Sequence, residues 1–306
     1  MTTMRICNRI AAVTLFCSMS AILLPLPSAE AATISLPAVK DNTLLRYDPA
    51  DANTALNSNG SGDFFSAGRT FARDEIRRGL VQFDLSSVPA NMQLVPGSVR
   101  LRLRVIGIPS RDTTPRPFWF VGLSGLTGPW GEGASVANIG VSGSGSGAPA
   151  QPGDATWFHT SYDPNIHNAT SFVSGGAGYW TQQGAIGNAA IANPAALFGP
   201  AAGTSGSTQD FVDFTSASME NDVSQWLTDP AKNFGWIIVS DEGVTGTNAS
   251  SKRDFASRQH ANAAFQPLLS FDVVSVPEPS TTALSMMGLV AASLLNRYRR
   301  GIVERK

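Results

Sequence analysis

Three arginines spaced two residues apart are the most chemically pointed feature of the sequence. In Val99-Arg100-Leu101-Arg102-Leu103-Arg104-Val105, apolar and cationic side chains alternate without a break. On an extended strand this puts Arg100, Arg102 and Arg104 on one face, about 6.7 Å apart at ~3.3–3.4 Å per residue. Guanidinium groups grip planar carboxylates bidentately, so such a row suits a polymer of uronate-type sugars, an acidic polysaccharide. Aromatic side chains such as Trp119, Trp130 and Tyr179 would add stacking surface for sugar rings. The same pattern also describes an outer strand face whose arginines pair with acids on the neighbouring strand. An acidic body favours that second reading.

Other groups point to chemistry less directly. His159 and His167 are eight apart with Pro164 between them, which matches no helical metal spacing, and histidines satisfied within loops are the simpler reading. A glycosidase needs two carboxyls ~5–10 Å apart, and Asp241-Glu242 is the best local pair. Adjacent residues on an extended chain point to opposite faces, and acids that follow a strand are usually solvated turn residues. Asp48, Asp51 and Asn53 could furnish oxygen ligands for a structural Ca²⁺, but they lack the order of an EF-hand loop, and turn formation accounts for them. There is no G-x-S-x-G nucleophile elbow. The glycine run 140–147 has no following Lys-Ser/Thr and is not a phosphate cradle. The expectation is a non-catalytic protein with no cofactor beyond that Ca²⁺ candidate.

The elements that must carry these residues read as strands. Leu80–Phe83, Phe234–Val239 and Leu268–Val274 join the arginine segment as apolar or alternating runs, with Phe234–Val239 buried on both sides. Pro, Gly, Ser and Asn separate the runs, as in all-β sandwiches. Trp157, Trp226 and Trp236 sit in patterned apolar segments and read as core. One segment has helical spacing: Met219, Val223, Trp226 and Leu227, from about Ser216 to Thr228, with Thr215 or Ser216 as N-cap and Asp229-Pro230 as stop. Residues 140–153 and 174–207 are rich in Gly, Ser, Ala, Pro and Asn, and their composition predicts flexible surface loops.

The two ends speak of export. Arg5 and Arg9, the apolar run Ile10–Leu24 and Ala29-Glu30-Ala31 form a secretory signal peptide over residues 1–31, cut after Ala31. Both cysteines, Cys7 and Cys17, fall inside it, so the mature body enters an oxidising space without disulfides. Residues 32–275 form one domain. Of the 22 basic and 23 acidic residues, seven basic ones (Arg5, Arg9, Arg297, Arg299, Arg300, Arg305, Lys306) lie in the terminal segments, against only Glu30, Glu278 and Glu304. The body is therefore acidic, which argues against nucleic-acid binding. At the other end, residues 276–306 run from Pro277-Glu278-Pro279 through apolar Thr281–Leu295 to a basic cluster. Fifteen helical residues reach about 22 Å against a hydrocarbon core of ~30 Å, which suits a transient membrane anchor better than a lasting one.

That tail resembles the PEP-CTERM sorting signal of exopolysaccharide-producing Gram-negative bacteria, with Pro277, Glu278 and Pro279 as the motif and Arg299-Arg300 as the basic stop. The resemblance implies recognition by an exosortase, a single-pass inner-membrane intermediate, and delivery to the cell surface or extracellular matrix. The body resembles a DNRLRE-type domain from about Thr33 to Val274. The resemblance rests on Asp41–Leu45, Arg78–Pro89, Ser98–Leu103, Gly131-Glu132-Gly133, Asp154–Trp157, Val212–Thr215, Val223–Trp226, Asn233–Trp236, Phe255–Arg258 and Gln266–Leu269. It implies a jelly-roll-like β-sandwich related to carbohydrate-binding modules that include binders of acidic polysaccharides, so the expected fold is an all-β antiparallel sandwich carrying the one short helix read from spacing. Two departures stand out: the loops between Ile106 and Asp210 are enlarged, and Gln259 stands where Glu often follows Phe-Ala-Ser-Arg. The functional expectation is an exported protein binding acidic exopolysaccharide. Alternatives are a structural or adhesive matrix protein, or a polysaccharide-cleaving enzyme.

Overall fold

The computed structural model describes residues 30–276 apart from 49, 52–54, 72–74, 111, 125–127, 142–143, 207–208 and 247, together with 292–293. Ala29, Asn53 and the tail residues Pro277, Glu278, Pro279, Arg299 and Arg300 lie outside the described residues, as does nearly all of the apolar tail segment. Among the described residues no helix is long and apolar enough to cross a membrane.

The strands are β1 (Ala31–Leu45), β2 (Asn57–Ser58), β3 (Phe64–Arg69), β4 (Ile76–Phe83), β5 (Met92–Leu94), β6 (Arg100–Gly107), β7 (Arg116–Gly122), β8 (Ala148–Pro149), β9 (Gly203–Ser205), β10 (Phe211–Phe214), β11 (Trp236–Ser240), β12 (Arg253–Ala256) and β13 (Leu268–Ser275). Their pairings are antiparallel. Two helices join them, α1 (Pro194–Phe198) and α2 (Ala217–Thr228).

β1 belongs to two sheets. Its first half, Ala31–Pro37, pairs with β13, and its second half, from Ala38 to Leu45, pairs with β4 across an irregularity between Ala38 and Lys40. Pro37 sits at the switch, where a residue without an N–H is tolerated because one ladder ends and another begins. β6 makes the corresponding turn. Arg100–Arg104 pair with β13 and β10, and Val105 and Gly107 then pair with β12. Since β12 continues to β3 and β3 to β4, the hydrogen-bonded path returns to β1. Flattened, this ring is the expected antiparallel sandwich.

Alternation decides what the sandwich buries. Leu101, Leu103 and Val105 of β6 face inward with Leu269, Phe271 and Val273 of β13, and they meet Val81, Phe83, Phe118, Phe120, Trp236 and Ile238 from the other sheet. α2 closes the flank. Ser216 caps it by accepting a hydrogen bond from Met219 N, and Met219, Val223 and Trp226 are buried. The Trp226 ring lies 4.6 Å from Trp236. Sequence spacing and structure agree here, from the cap to the stop at Asp229.

The outer face of β4 and β11 is not open to water. Leu44, Leu80 and Ile237 pack against Trp130, Trp157, Phe158 and Trp180, which arrive on the long connection between β7 and β9. The expectation of surface loops is corrected at particular anchors: Trp180 and Ala185 are buried, as are Ile191 and Ala202. Small residues are here a packing device. Gly184 adopts φ +61°, and a Cβ at this position would come within 2.6 Å of the Trp157 ring. Composition predicted mobility because isolated rings between glycines show no period.

Candidate functional site

The arginine row lies on the outer face of β6, as its alternation requires. Arg100 and Arg102 keep 55% and 49% of their side-chain surface exposed, while Arg104 keeps 22%. The adjoining strand supplies acids. Arg102 Nε donates to Asp213 Oδ1 (2.9 Å) and its Nη2 to Oδ2 (3.2 Å), Arg100 Nη1 reaches Asp213 Oδ2 (3.3 Å), and Arg104 Nη1 reaches Asp210 Oδ1 (3.1 Å). Asp213 stands directly opposite Arg102 in the ladder. The hydrogen bond from Arg102 holds the Asp213 carboxyl below the usual carboxylate range, with burial opposing and the charges of Arg102 and Arg100 assisting. The neighbour-strand pairing foreseen for the row is therefore present.

The row also has aromatic company that the sequence reading missed. Phe211 is opposite Arg104 in the ladder, is 39% exposed, and lies 5.0 Å from that guanidinium. Phe265 lies 4.8 Å from the same guanidinium, beside Phe211 at 5.8 Å, and packs against His260 at 5.3 Å. The clue was in Phe211-Val212-Asp213-Phe214, whose odd-numbered positions face the arginines. The aromatics named from sequence do not join the row. Trp119 is 6% exposed on β7, in the other sheet, and donates from Nε1 to the Gly199 carbonyl. Trp130 is buried and donates to the Phe234 carbonyl. Tyr179 packs with His159 and His167.

Asp241 and Glu242 diverge, as adjacent residues should. Asp241 accepts from Gly243 N within its own turn. Glu242 is no solvated turn residue: it is fully buried and receives both Nε (2.8 Å) and Nη2 (2.9 Å) of Arg78. The remaining Arg78 donors reach the carbonyls of Gly184, Gly187 and Ala189, and its guanidinium lies 4.7 Å from the Trp157 ring. Glu242 also accepts from Ile191 N. This buried pair staples the third layer to β4, since Glu242 spends its carboxylate on Arg78 and on the backbone of the connection.

His159 and His167 are brought together, with rings stacked 4.8 Å apart beside Tyr162 and Tyr179. Burial, and then the charge of His167, lowers the His159 pKa to about 4. Asp48 accepts from Ala50 N and its carbonyl from Asp51 N, which is a turn. Among the described residues no group of three or more His, Cys, Asp or Glu side chains is placed to hold a metal. Gln259 donates to Glu132 Oε1 and to the Gly60 carbonyl, while Arg258 forks onto the same carboxylate. Position 259 thus ties two loops together. Burial raises the neighbouring Asp41 carboxyl well above its usual range.

Residues 275–300 match a family model described as the PEP-CTERM protein-sorting motif. The motif implies processing by an exosortase, export, and a surface or extracellular destination. No curated protein matches the chain. No family model supports the DNRLRE-type resemblance of the body. The structure adds the position of the matched segment. It begins at the last residue of β13, and Val274 of that strand is paired with Ala31 at the start of β1. The two ends of the body therefore lie side by side.

Proposed function

We propose that this is a non-catalytic protein of the cell surface or extracellular matrix whose sandwich binds an acidic polysaccharide through Arg100, Arg102 and Arg104. In this account residues 1–31 are removed after Ala31, and residues 276–306 hold the chain in the inner membrane until an exosortase cuts at Pro277-Glu278-Pro279. The pairing of Ala31 with Val274 puts the first and last strands of the body side by side, which supports presentation of both ends from one edge. The proposal includes no cofactor. The DNRLRE-type resemblance supports the ligand class.

The observation that carries the binding reading is the arginine row, with Arg100 and Arg102 about half exposed and Phe211 and Phe265 packed on the more covered Arg104. Exposed ion pairs contribute only ~0–1 kcal/mol, so Asp213 and Asp210 order the guanidinium groups yet yield to the carboxylates of a polymer. Three cations facing two aspartates leave one positive charge. Retention on a polygalacturonate gel at low salt, with release as salt rises, is the expected result. The variant Arg100→Ser/Arg102→Ser/Arg104→Ser should flow through. Retention of that variant would place the site elsewhere. Release of reducing ends or unsaturated uronates from the gel would contradict the non-catalytic part.

One observation favours a second reading, a structural matrix protein without a glycan ligand: each arginine of the row already has a carboxylate partner. Self-association in solution together with no retention on any glycan would select it.

A further inference from the structure

Beyond the arginine row, the same face of β6 leads into a recess. Ile106 follows Arg104 at the next outward position, and Ile106, Gly107, Ile108 and Pro109 form one wall of a cleft of about 640 Å³. That lies within the ~300–1,000 Å³ typical of ligand sites. Phe71 and Ile139, 39% and 37% exposed, supply further apolar surface, and Gln209 stands at the edge nearest β10.

The polar lining differs in kind from the row. Lys252 Nζ lies 2.7 Å from Asp254 Oδ1, and Arg77 Nη2 lies 2.6 Å from Glu75 Oε2. Both pairs are held from behind: Asp254 accepts from Ser66 Oγ, and Arg77 donates to the Gly145 carbonyl. Among the described lining residues the four charges cancel, so a polyanion entering the cleft would meet two carboxylates as well as two cations. A wholly apolar ligand would strip water from all four charged groups. A sugar fits both halves of the lining. Each hydroxyl donates one hydrogen bond and accepts others, which matches fixed acceptors beside fixed donors, and the apolar face of a pyranose ring can lie on Phe71 or Ile108. We infer that this cleft binds a neutral saccharide unit, independently of the arginine row.

Native affinity electrophoresis tests this with three neutral polymers, dextran, hydroxyethylcellulose and galactomannan, at low and high salt. At least one should retard the full-length protein, equally at both salt levels, since no net charge is matched. Phe71→Ala/Gln209→Ala, both at exposed positions, should weaken retardation about tenfold or more. Ile139→Arg, which fills the mouth of the cleft, should abolish it. The triple arginine-to-serine variant should be retarded like wild type. The inference is overturned if none of the three polymers retards the protein, or if the cleft variants melt at the wild-type temperature and bind as wild type. It is equally overturned if the triple arginine variant loses the neutral polymer. Neutral binding without polygalacturonate binding would sink the proposed function and leave this inference standing.

Discussion

The two outward faces of the sandwich use the same chemical pair, arginine with a carboxylate, under opposite conditions. On β6, Arg102 meets Asp213 with about half of its side chain in water. On β4, Arg78 meets Glu242 with both side chains fully buried. The exposed pair is screened and replaceable. Neither member of the buried pair can be removed or drawn off alone, because that strands the other charge away from water. The difference teaches how to divide the molecule. The face with replaceable pairs is where a ligand can compete, and the face with irreplaceable pairs holds a third layer in place.

The strongest way to break this division is Arg78→Met, which leaves Glu242 buried beside apolar atoms. It should cost about 3–5 kcal/mol in chemical denaturation. Trp180→Ala, which empties the centre of the third layer, should cost a similar ~3–5 kcal/mol. An exposed third layer would instead give both changes the small values of surface substitutions.

Next in size is a dependence on pH. His159 has a pKa of about 4 in the folded protein, against ~6.5 for a free imidazole. A lowered folded value means that the unfolded chain takes up the proton first. The contribution of neutral His159 is complete above about pH 6.5 and is lost as pH falls towards 4, for a total on the order of 3 kcal/mol. Burial raises the carboxyls of Asp41, Asp154 and Asp222, which acts in the opposite direction. The clean observable is therefore the wild type compared with His159→Gln. The variant should lose less stability between pH 7 and pH 4, and equal losses would place His159 in a wetter site than the stacked rings imply.

The smallest expected effect sharpens the comparison from the open face. Asp213→Ala should change stability by only ~0–1 kcal/mol, while freeing Arg100 and Arg102 and strengthening retention on polygalacturonate. Weaker retention would mean that Asp213 is needed to hold the arginines in a binding geometry.

What the sequence disclosed follows this same division. Alternation at Val99–Val105 gave the strand, its inward leucines and its outward arginines, and a step of four, three and one gave α2 with Ser216 at its cap. Those signals are local. The aspartates that meet the row come from β10, over a hundred residues away, so alternation could propose partners but not choose them. Of the third layer only Trp157 was legible, from its patterned apolar segment, and the rest was hidden for a physical reason. Trp130, Trp157 and Trp180 are separated by small and polar residues with no repeating period, and the pair that anchors them spans 164 residues between Arg78 and Glu242. Glycines such as Gly184 look like flexibility in a composition and serve as close packing in the fold.

Arginine modification by phenylglyoxal, read out residue by residue with mass spectrometry, tests the central division most directly. With polygalacturonate present, Arg100, Arg102 and Arg104 should be protected, while Arg78 stays unreactive with and without the polymer. Unchanged modification of the row, or protection confined to arginines elsewhere on the surface, would contradict the account.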